Sequence, residues 1–250
     1  MRGDAELVCL NALKSVMFKP TALFAGKYGL LSNEEIIELS FLLLTARPNP
    51  EASLFPDFVS DRGFIEHFRV TSTVDNRKGS AFSIMLSSMA KVRDAFVRGL
   101  FSSEVLSGIY SNCTSRVMPK ASYESFVSSF KKHWLKHMAS CDKYVAEHVG
   151  LDVCVFMVDN GREFNLSMFC ANLIDGFPRK VRGYVLSLDN NLLRWIANNA
   201  GCIKYVIFCD GFGHDIVSVA RIPELIARNG CGYTVYDMPG ISGQYTICMK

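Results

Sequence analysis

Three carboxylates in the first third of the sequence could act together on one ligand. They are Glu38, Asp57 and Glu66. Carboxylates that surround one point bind a hard divalent cation, usually Mg²⁺ and sometimes Mn²⁺, because such ions prefer oxygen ligands. A cation held in this way polarises a phosphodiester and lowers the pKa of a bound water. The chemistry that these residue types indicate is therefore hydrolysis of a phosphodiester bond.

Glu66 is the unusual member of this group. In the strand predicted around it, the alternation of side chains places Glu66 on the same face as Phe64, Phe68 and Val70. A carboxylate that points into a core is costly unless it is paired or bound to a metal. An ordinary structural explanation stays open, in which Asp57 caps a turn and Glu66 pairs with an arginine or a lysine.

A helix and a hairpin must position these acids. The helix predicted over residues 32–45 carries Glu38; it begins at a Ser-Asn pair suited to an N-cap and ends before two prolines. Two β-rich runs follow, at residues 55–59 and 64–73, around a short turn that contains a glycine. The sequence therefore predicts a β-hairpin with Asp57 on one side and Glu66 on the other.

The rest of the chain alternates helical and strand-like patterns. Further helices are predicted over residues 4–18, 82–100 and 123–145. Strand-length apolar runs follow, of the kind that is buried on both faces of a sheet, at residues 152–158, 184–188 and 203–209. We expect an α/β fold, with a mixed β-sheet flanked by helices.

The order of the acidic residues resembles a known signature. Pro56-Asp57, a hairpin and then Glu66 on the following strand resemble the motif of the PD-(D/E)xK nuclease-like superfamily. The preceding helix with Glu38 and the long helix after the hairpin also stand in the expected order. The resemblance covers residues 32–158.

This resemblance implies a fold, a cofactor and an activity. It implies a restriction-endonuclease-like core in which Asp57, Glu66 and the backbone carbonyl of His67 ligate Mg²⁺ or Mn²⁺, with Glu38 as an auxiliary acid. The chain is then a single α/β domain with a helical segment at residues 1–31, the nuclease-like core and an αβ extension at residues 159–250. The expected activity is that of an endonuclease hydrolysing DNA and, by analogy, of a restriction or phage-defence effector.

One position departs from the family pattern. The family has a lysine two residues after the second acid, where this chain has Phe68, and a phenylalanine can neither orient nor activate a water. Lys78, Lys132 and Lys136 are the candidates for a displaced lysine. If none of them serves, the alternative is a catalytically degenerate nuclease-like domain that binds a protein or a nucleic acid.

Two other groups of residues invite a functional interpretation. His133 and His137 have the i, i+4 spacing of a zinc pair on a helix, but the sequence offers no HExxH pattern, and we expect packed histidines at the edge of an amphipathic face. The segment 211–215 lacks the motifs of nucleotide-binding loops and is typical of a hairpin turn. No cysteine has a neighbouring histidine that would suggest a nucleophile.

The composition is that of a globular protein. Of 250 residues, 49% are hydrophobic and 20% charged, and the formal net charge of +3 permits a nucleic-acid partner without requiring one. The nine cysteines include no CxxC pair, which favours free thiols in a reducing compartment. With no signal peptide and no run long enough to span a membrane, we expect a cytoplasmic protein, and a homo-oligomer or a partner protein stays open.

Overall fold

The computed structural model describes residues 4–17, 31–51, 54–71, 111–114, 122–160, 166–174, 177–181, 184–209, 214–230, 233–237 and 244–247. The helices are α1 (Asp4–Met17), α2 (Asn33–Thr45), α3 (Tyr123–Glu147), α4 (Asn190–Asn199) and α5 (Ile222–Asn229). The strands are β1 (Arg47–Pro48), β2 (Phe58–Val59), β3 (Gly63–Arg69), β4 (Ser111–Thr114), β5 (Val153–Asp159), β6 (Leu166–Ile174), β7 (Phe177–Val181), β8 (Ile203–Cys209), β9 (His214–Ser218), β10 (Tyr233–Asp237) and β11 (Gln244–Ile247).

Six of these strands form a mixed sheet with the order β1-β2-β3-β5-β8-β9. The central strands β3, β5 and β8 are parallel, and the strands toward both ends of the order run antiparallel to their neighbours. Two smaller sheets place β6 between β10 and β7 and pair β11 with β4. The expected α/β fold with a mixed sheet and helices is confirmed.

The central strands are the apolar runs of the sequence. Nearly every position of β5 and β8 is buried, as expected for parallel strands covered on both faces. β3 pairs with β5 along its whole length, from Gly63 opposite Val153 to Arg69 opposite Asp159. A Cβ on Gly63 would lie only 1.8 Å from the carbonyl oxygen of Val153, so this close approach requires glycine.

One face of the sheet, called here the α3 face, packs against α3 and α4. Phe64, Phe68 and Phe156 point into this layer from the strands. The buried residues of α3 recur every three or four positions and are Phe126, Phe130, Trp134, Met138 and Cys141. Although α3 is 25 residues long, neither it nor any other helix in the described ranges is apolar enough to cross a lipid bilayer.

The opposite face, called here the α1–α2 face, packs against α1 and α2. Leu10 and Leu13 of α1 and Leu39 and Leu43 of α2 are buried there. The strands contribute the residues that alternate with those of the α3 face, namely Ile65, Val155, Met157, Ile207 and Cys209. Side chains of consecutive strand residues therefore reach two different layers.

The first turn of α2 is tied to the edge of the sheet through Glu35. Ser32 and Glu35 form a capping box, in which the Ser32 amide donates to Glu35 Oε2 at 2.7 Å. The hydroxyl of Ser218 donates to Glu35 Oε1 at 2.6 Å, and Arg221 Nε donates to Glu35 Oε2 at 2.7 Å. One carboxylate thus caps its own helix and also holds the chain that follows β9.

The C-terminal half differs from the prediction in two places. The apolar run at residues 184–188 contains a 3₁₀ turn at Leu186–Leu188 instead of a strand. The amide of Ser187 donates to the Asp215 carboxylate at 2.7 Å, so it takes no part in a ladder. A short apolar run does not by itself distinguish a strand from a buried turn. β6 and β7 were not predicted.

Some predictions fall on residues outside those that the structure describes. They include the helix over residues 82–100, Lys78 and the first three residues of the turn predicted at residues 211–215. The last two residues of that turn, His214 and Asp215, belong to β9. The strands on either side of that turn, β8 and β9, pair antiparallel up to Cys209 opposite His214, as expected for a hairpin.

Candidate functional site

Asp57 and Glu66 lie side by side across the hairpin. Phe58 pairs with Ile65, so Asp57, one residue earlier, stands opposite Glu66. The backbone N–H of Asp57 donates to Glu66 Oε2 at 3.0 Å. Asp57 Oδ2 in turn accepts the backbone N–H of His67 at 2.8 Å. The hairpin therefore brings together the two acids that the sequence singled out.

The surroundings of the pair make the charged form of Asp57 costly. Glu66 is only 6% exposed and Asp57 is half-buried. Burial, followed by the charge of Glu66, raises the pKa of Asp57 to about 6, although the His67 amide acts in the opposite direction. Two neighbouring carboxylates with little water around them repel each other, and a divalent cation between them would relieve that repulsion.

Glu66 pairs with a histidine instead of the arginine or lysine of the ordinary structural explanation. His137 Nδ1 lies 2.5 Å from Glu66 Oε1, and both side chains are largely buried. α3 presents His137 to the sheet because it lies one position before the buried Met138. The sequence had suggested His137 only as half of a zinc pair, so its contact with the acidic site was missed.

The zinc pair itself finds no support in the geometry. The ring of His137 stacks on Phe68 with the centroids 4.9 Å apart, and the ring of His133 lies 6.5 Å from Phe68. In the part of the chain that the structure describes, neither histidine belongs to a compact group of three metal-ligating side chains. Both rings pack against Phe68 at the edge of α3, and His137 also contacts Glu66.

Phe68 is part of the core at the position where the family pattern has lysine. It is 3% exposed and makes edge-on contacts with Phe130 and Phe156. Lys132 and Lys136 are exposed on α3, and no contact that the structure describes joins either of them to the acids. Of the displaced lysines that the sequence offered, these two are therefore not brought to the pair.

Glu38 is also kept away from the pair, contrary to the expected convergence of three acids. Its Oε1 accepts Lys204 Nζ at 2.6 Å and its Oε2 accepts the hydroxyl of Tyr205 at 2.6 Å. α2 lies on the α1–α2 face, whereas Glu66 points toward the α3 face, so the sheet separates the two carboxylates. The phase of a helix shows which of its residues share a side, but not which face of the sheet that side meets.

A third group of reactive side chains was not foreseen. Cys9 of α1, His67 of β3 and Asp159 at the end of β5 each place a ligand atom within 4.8 Å of the others. The expectation that no cysteine has a histidine nearby is therefore wrong. These residues are far apart in the sequence and meet only because β3 pairs with β5 and α1 packs across both.

No protein-family model, curated protein or solved structure matches this chain. The function is therefore inferred from the geometry and chemistry of its own residues.

Proposed function

We propose that this chain is a Mg²⁺- or Mn²⁺-dependent endonuclease that hydrolyses DNA phosphodiester bonds at the Asp57–Glu66 pair. The observation that carries the proposal is the hydrogen bond from the Asp57 amide to the Glu66 carboxylate across the hairpin. Burial and the charge of Glu66 also raise the pKa of Asp57 to about 6. Two neighbouring carboxylates repel each other when both are charged, and a hard cation bound between them would offset that repulsion.

The arrangement of elements supports the same proposal. α2 precedes the hairpin of β2 and β3, α3 follows it, and β5 then runs parallel to β3. This is the order of a restriction-endonuclease-like core of the PD-(D/E)xK kind, which the resemblance of the motif implies. We propose on this basis that the region from α2 to β5 is such a core.

The residues around the pair have distinct roles in this proposal. Asp57 and Glu66 hold the cation, together with the backbone carbonyl of His67 as the family pattern implies. The cation supplies charge neutralisation at the phosphate and a bound water of lowered pKa. His137 fixes the Glu66 carboxylate through its hydrogen bond, and the Asp57 amide fixes the other oxygen. Because Phe68 replaces the lysine, no ammonium group at that position assists the water.

Phe68 favours a second candidate function, a degenerate nuclease-like domain that binds DNA without cutting it. Its ring fills the space between β3 and α3 that a motif lysine would occupy, and it stacks on His137. This candidate keeps cation binding at Asp57 and Glu66 and removes only the hydrolysis.

A cleavage assay with near-isosteric variants tests the proposal. Purified protein is incubated with supercoiled plasmid or linear DNA in Mg²⁺, Mn²⁺ or EDTA. We expect metal-dependent nicking that is lost in Asp57→Asn and in Glu66→Gln. Glu38→Gln is the matched control, because it removes a partly buried carboxylate that lies outside the pair, and it should cleave like the wild type.

The other outcomes separate the candidates. Equal cleavage by the wild type and both pair variants would contradict the assignment of the site. DNA binding with no cleavage in either metal would support the degenerate domain. Absence of both cleavage and DNA binding would reject both candidates.

A further inference from the structure

The Cys9–His67–Asp159 cluster lies on the other side of β3 from the acidic pair. His67 follows Glu66 in the strand, so its side chain points to the α1–α2 face, where it approaches α1. Asp159 is the last residue of β5, two positions along from the partner of His67 in the ladder. His67 Nε2 and Asp159 Oδ2 are 3.8 Å apart. A helix and two parallel strands thus converge on one point.

We infer that Cys9, His67 and Asp159 form a binding site for a transition-metal ion of the zinc class. Zinc accepts a thiolate sulfur, an imidazole nitrogen and a carboxylate oxygen as ligands. Tetrahedral zinc with bonds of about 2.0 to 2.3 Å sets its ligand atoms roughly 3.5 Å apart. The separations in this cluster, all within 4.8 Å, need only a small contraction to reach that geometry.

An unsatisfied imidazole nitrogen supports the site independently. His67 is 8% exposed, and its Nε2 is buried without a hydrogen-bond partner among the residues that the structure describes. The 3.8 Å separation from Asp159 is too long for a hydrogen bond. A buried nitrogen without a partner is costly, and buried polar atoms are nearly always satisfied. A metal ion at the centre of the cluster would provide the missing partner.

A second thiol lies near the cluster. Cysteine binds zinc-class ions as the thiolate. Cys209 ends β8 beside Asp159, so it lies next to the cluster as well.

A cysteine-protease-like arrangement explains the geometry less well. In a nucleophilic triad, one imidazole nitrogen faces the nucleophile and the other faces the acid. Here a single ligand nitrogen of His67 lies within 4.8 Å of both the Cys9 sulfur and an Asp159 oxygen. One imidazole nitrogen shared between a thiol and a carboxylate fits a metal site better than a nucleophilic triad. Three protein ligands also leave a fourth zinc position for water, as in catalytic zinc sites.

Cobalt substitution tests this inference. The full chain is stripped with a chelator under reducing conditions and titrated with Co²⁺, whose absorption reports thiolate ligation, and then with Zn²⁺ as competitor. We expect one thiolate-bound Co²⁺ per chain, counted from the thiolate-to-cobalt charge-transfer band, and we expect Zn²⁺ to abolish that band. Cys9→Ser should remove the band, and Asp159→Asn should weaken binding by about tenfold or more.

Two control variants make the result specific. Cys202→Ser removes a thiol on the α3 face, where Cys202 lies 2.6 Å from the sulfur of Cys141, and it should keep the band. Glu66→Gln should also keep the thiolate-to-cobalt band, because the acidic pair lies outside the sulfur-containing cluster and supplies no thiolate. Loss of the band in Cys202→Ser, its persistence in Cys9→Ser, or no Co²⁺ binding by the folded wild type would overturn the inference.

Discussion

Glu66 illustrates how a carboxylate is kept inside a core. Its two oxygens are held by the Asp57 amide and by His137, yet no arginine or lysine contacts it among the residues described. The alternation along β3 was enough to predict that Glu66 is buried. The contact with His137 depends on how α3 packs on the sheet, which the sequence pattern does not specify.

The raised pKa of Asp57 predicts a pH-dependent stability in the absence of metal. Its pKa in the folded state, about 6, lies above the ordinary value of 3.8 for an aspartate. Between about pH 4 and pH 6 the folded state keeps a proton on Asp57 that the unfolded state has already lost. The stabilisation from this proton is therefore complete below about pH 4 and is lost as the pH rises through 6. Asp57→Asn removes this titration. We expect it to unfold at higher denaturant than the wild type at pH 7.5 in EDTA.

The size of this effect is limited because Asp57 is partly exposed. After discounting for solvent screening, we expect a gain of about 1 kcal/mol at pH 7.5 and little or none at pH 4.5. Urea unfolding at both pH values, with EDTA present, measures the difference. A difference that does not change with pH would show that the Asp57 carboxylate is not destabilised by its surroundings.

His137 is predicted to position the acidic site, whereas His133 is not. His137→Ala frees the Glu66 carboxylate, so we expect Mn²⁺ affinity to fall by about tenfold or more. His133→Ala is the matched control, because His133 is on the same helix one turn earlier and only faces Phe68. Mn²⁺ affinity and thermal stability are both measured for the two variants and for the wild type. Equal losses of affinity in the two variants would refute a specific role for His137.

At the scale of elements, local patterns predicted the parts that position the acids. The hairpin, α2 and the apolar strands β5 and β8 all follow from periodicity, turn residues and capping residues. The 3₁₀ turn at Leu186–Leu188 did not, since it depends on a hydrogen bond from Ser187 to the distant Asp215. The strands β6 and β7 were also missed, although they pair with each other as neighbours in the sequence. The meeting of Cys9 with His67 depends on the packing of α1.

The junction of α2 with the end of β9 gives a prediction for Glu35. Although burial raises its pKa, Ser218, Ser32 and Arg221 together hold it below the usual value. Glu35→Ala removes the reciprocal half of the capping box and the bond from Ser218, so we expect a loss of about 1 kcal/mol at neutral pH. The loss should shrink as the pH falls through the folded pKa of Glu35, where the charge disappears.

Glu34 supplies the control for this experiment. It lies in the same first turn of α2 but is exposed and takes no part in the capping box. Glu34→Ala should leave the midpoint of urea unfolding nearly unchanged. If both substitutions shift the midpoint equally, the helix dipole, and not the specific contacts of Glu35, accounts for the effect.

At the scale of the whole molecule, β3 separates two candidate sites of different chemistry. Glu66 serves an oxygen-rich pair on the α3 face, and His67 serves a sulfur-containing cluster on the α1–α2 face. The two are linked through one residue, since the His67 amide also donates to Asp57. Hard cations such as Mg²⁺ should therefore prefer the oxygen-rich pair, and borderline cations such as Zn²⁺ should prefer the sulfur-containing cluster.

Manganese binding tests the acidic site most directly. Mn²⁺ is titrated into metal-free Cys9→Ser protein, in which the sulfur-containing cluster is disabled, and free Mn²⁺ is followed by electron paramagnetic resonance. We predict one bound Mn²⁺ per chain for the Cys9→Ser protein. When Asp57→Asn or Glu66→Gln is combined with Cys9→Ser, Mn²⁺ should bind at least about tenfold more weakly. When Glu38→Gln is combined with Cys9→Ser, Mn²⁺ affinity should not change. Binding that is equally strong with and without the Glu66 carboxylate, in proteins with matching circular dichroism, would contradict a metal site at the pair.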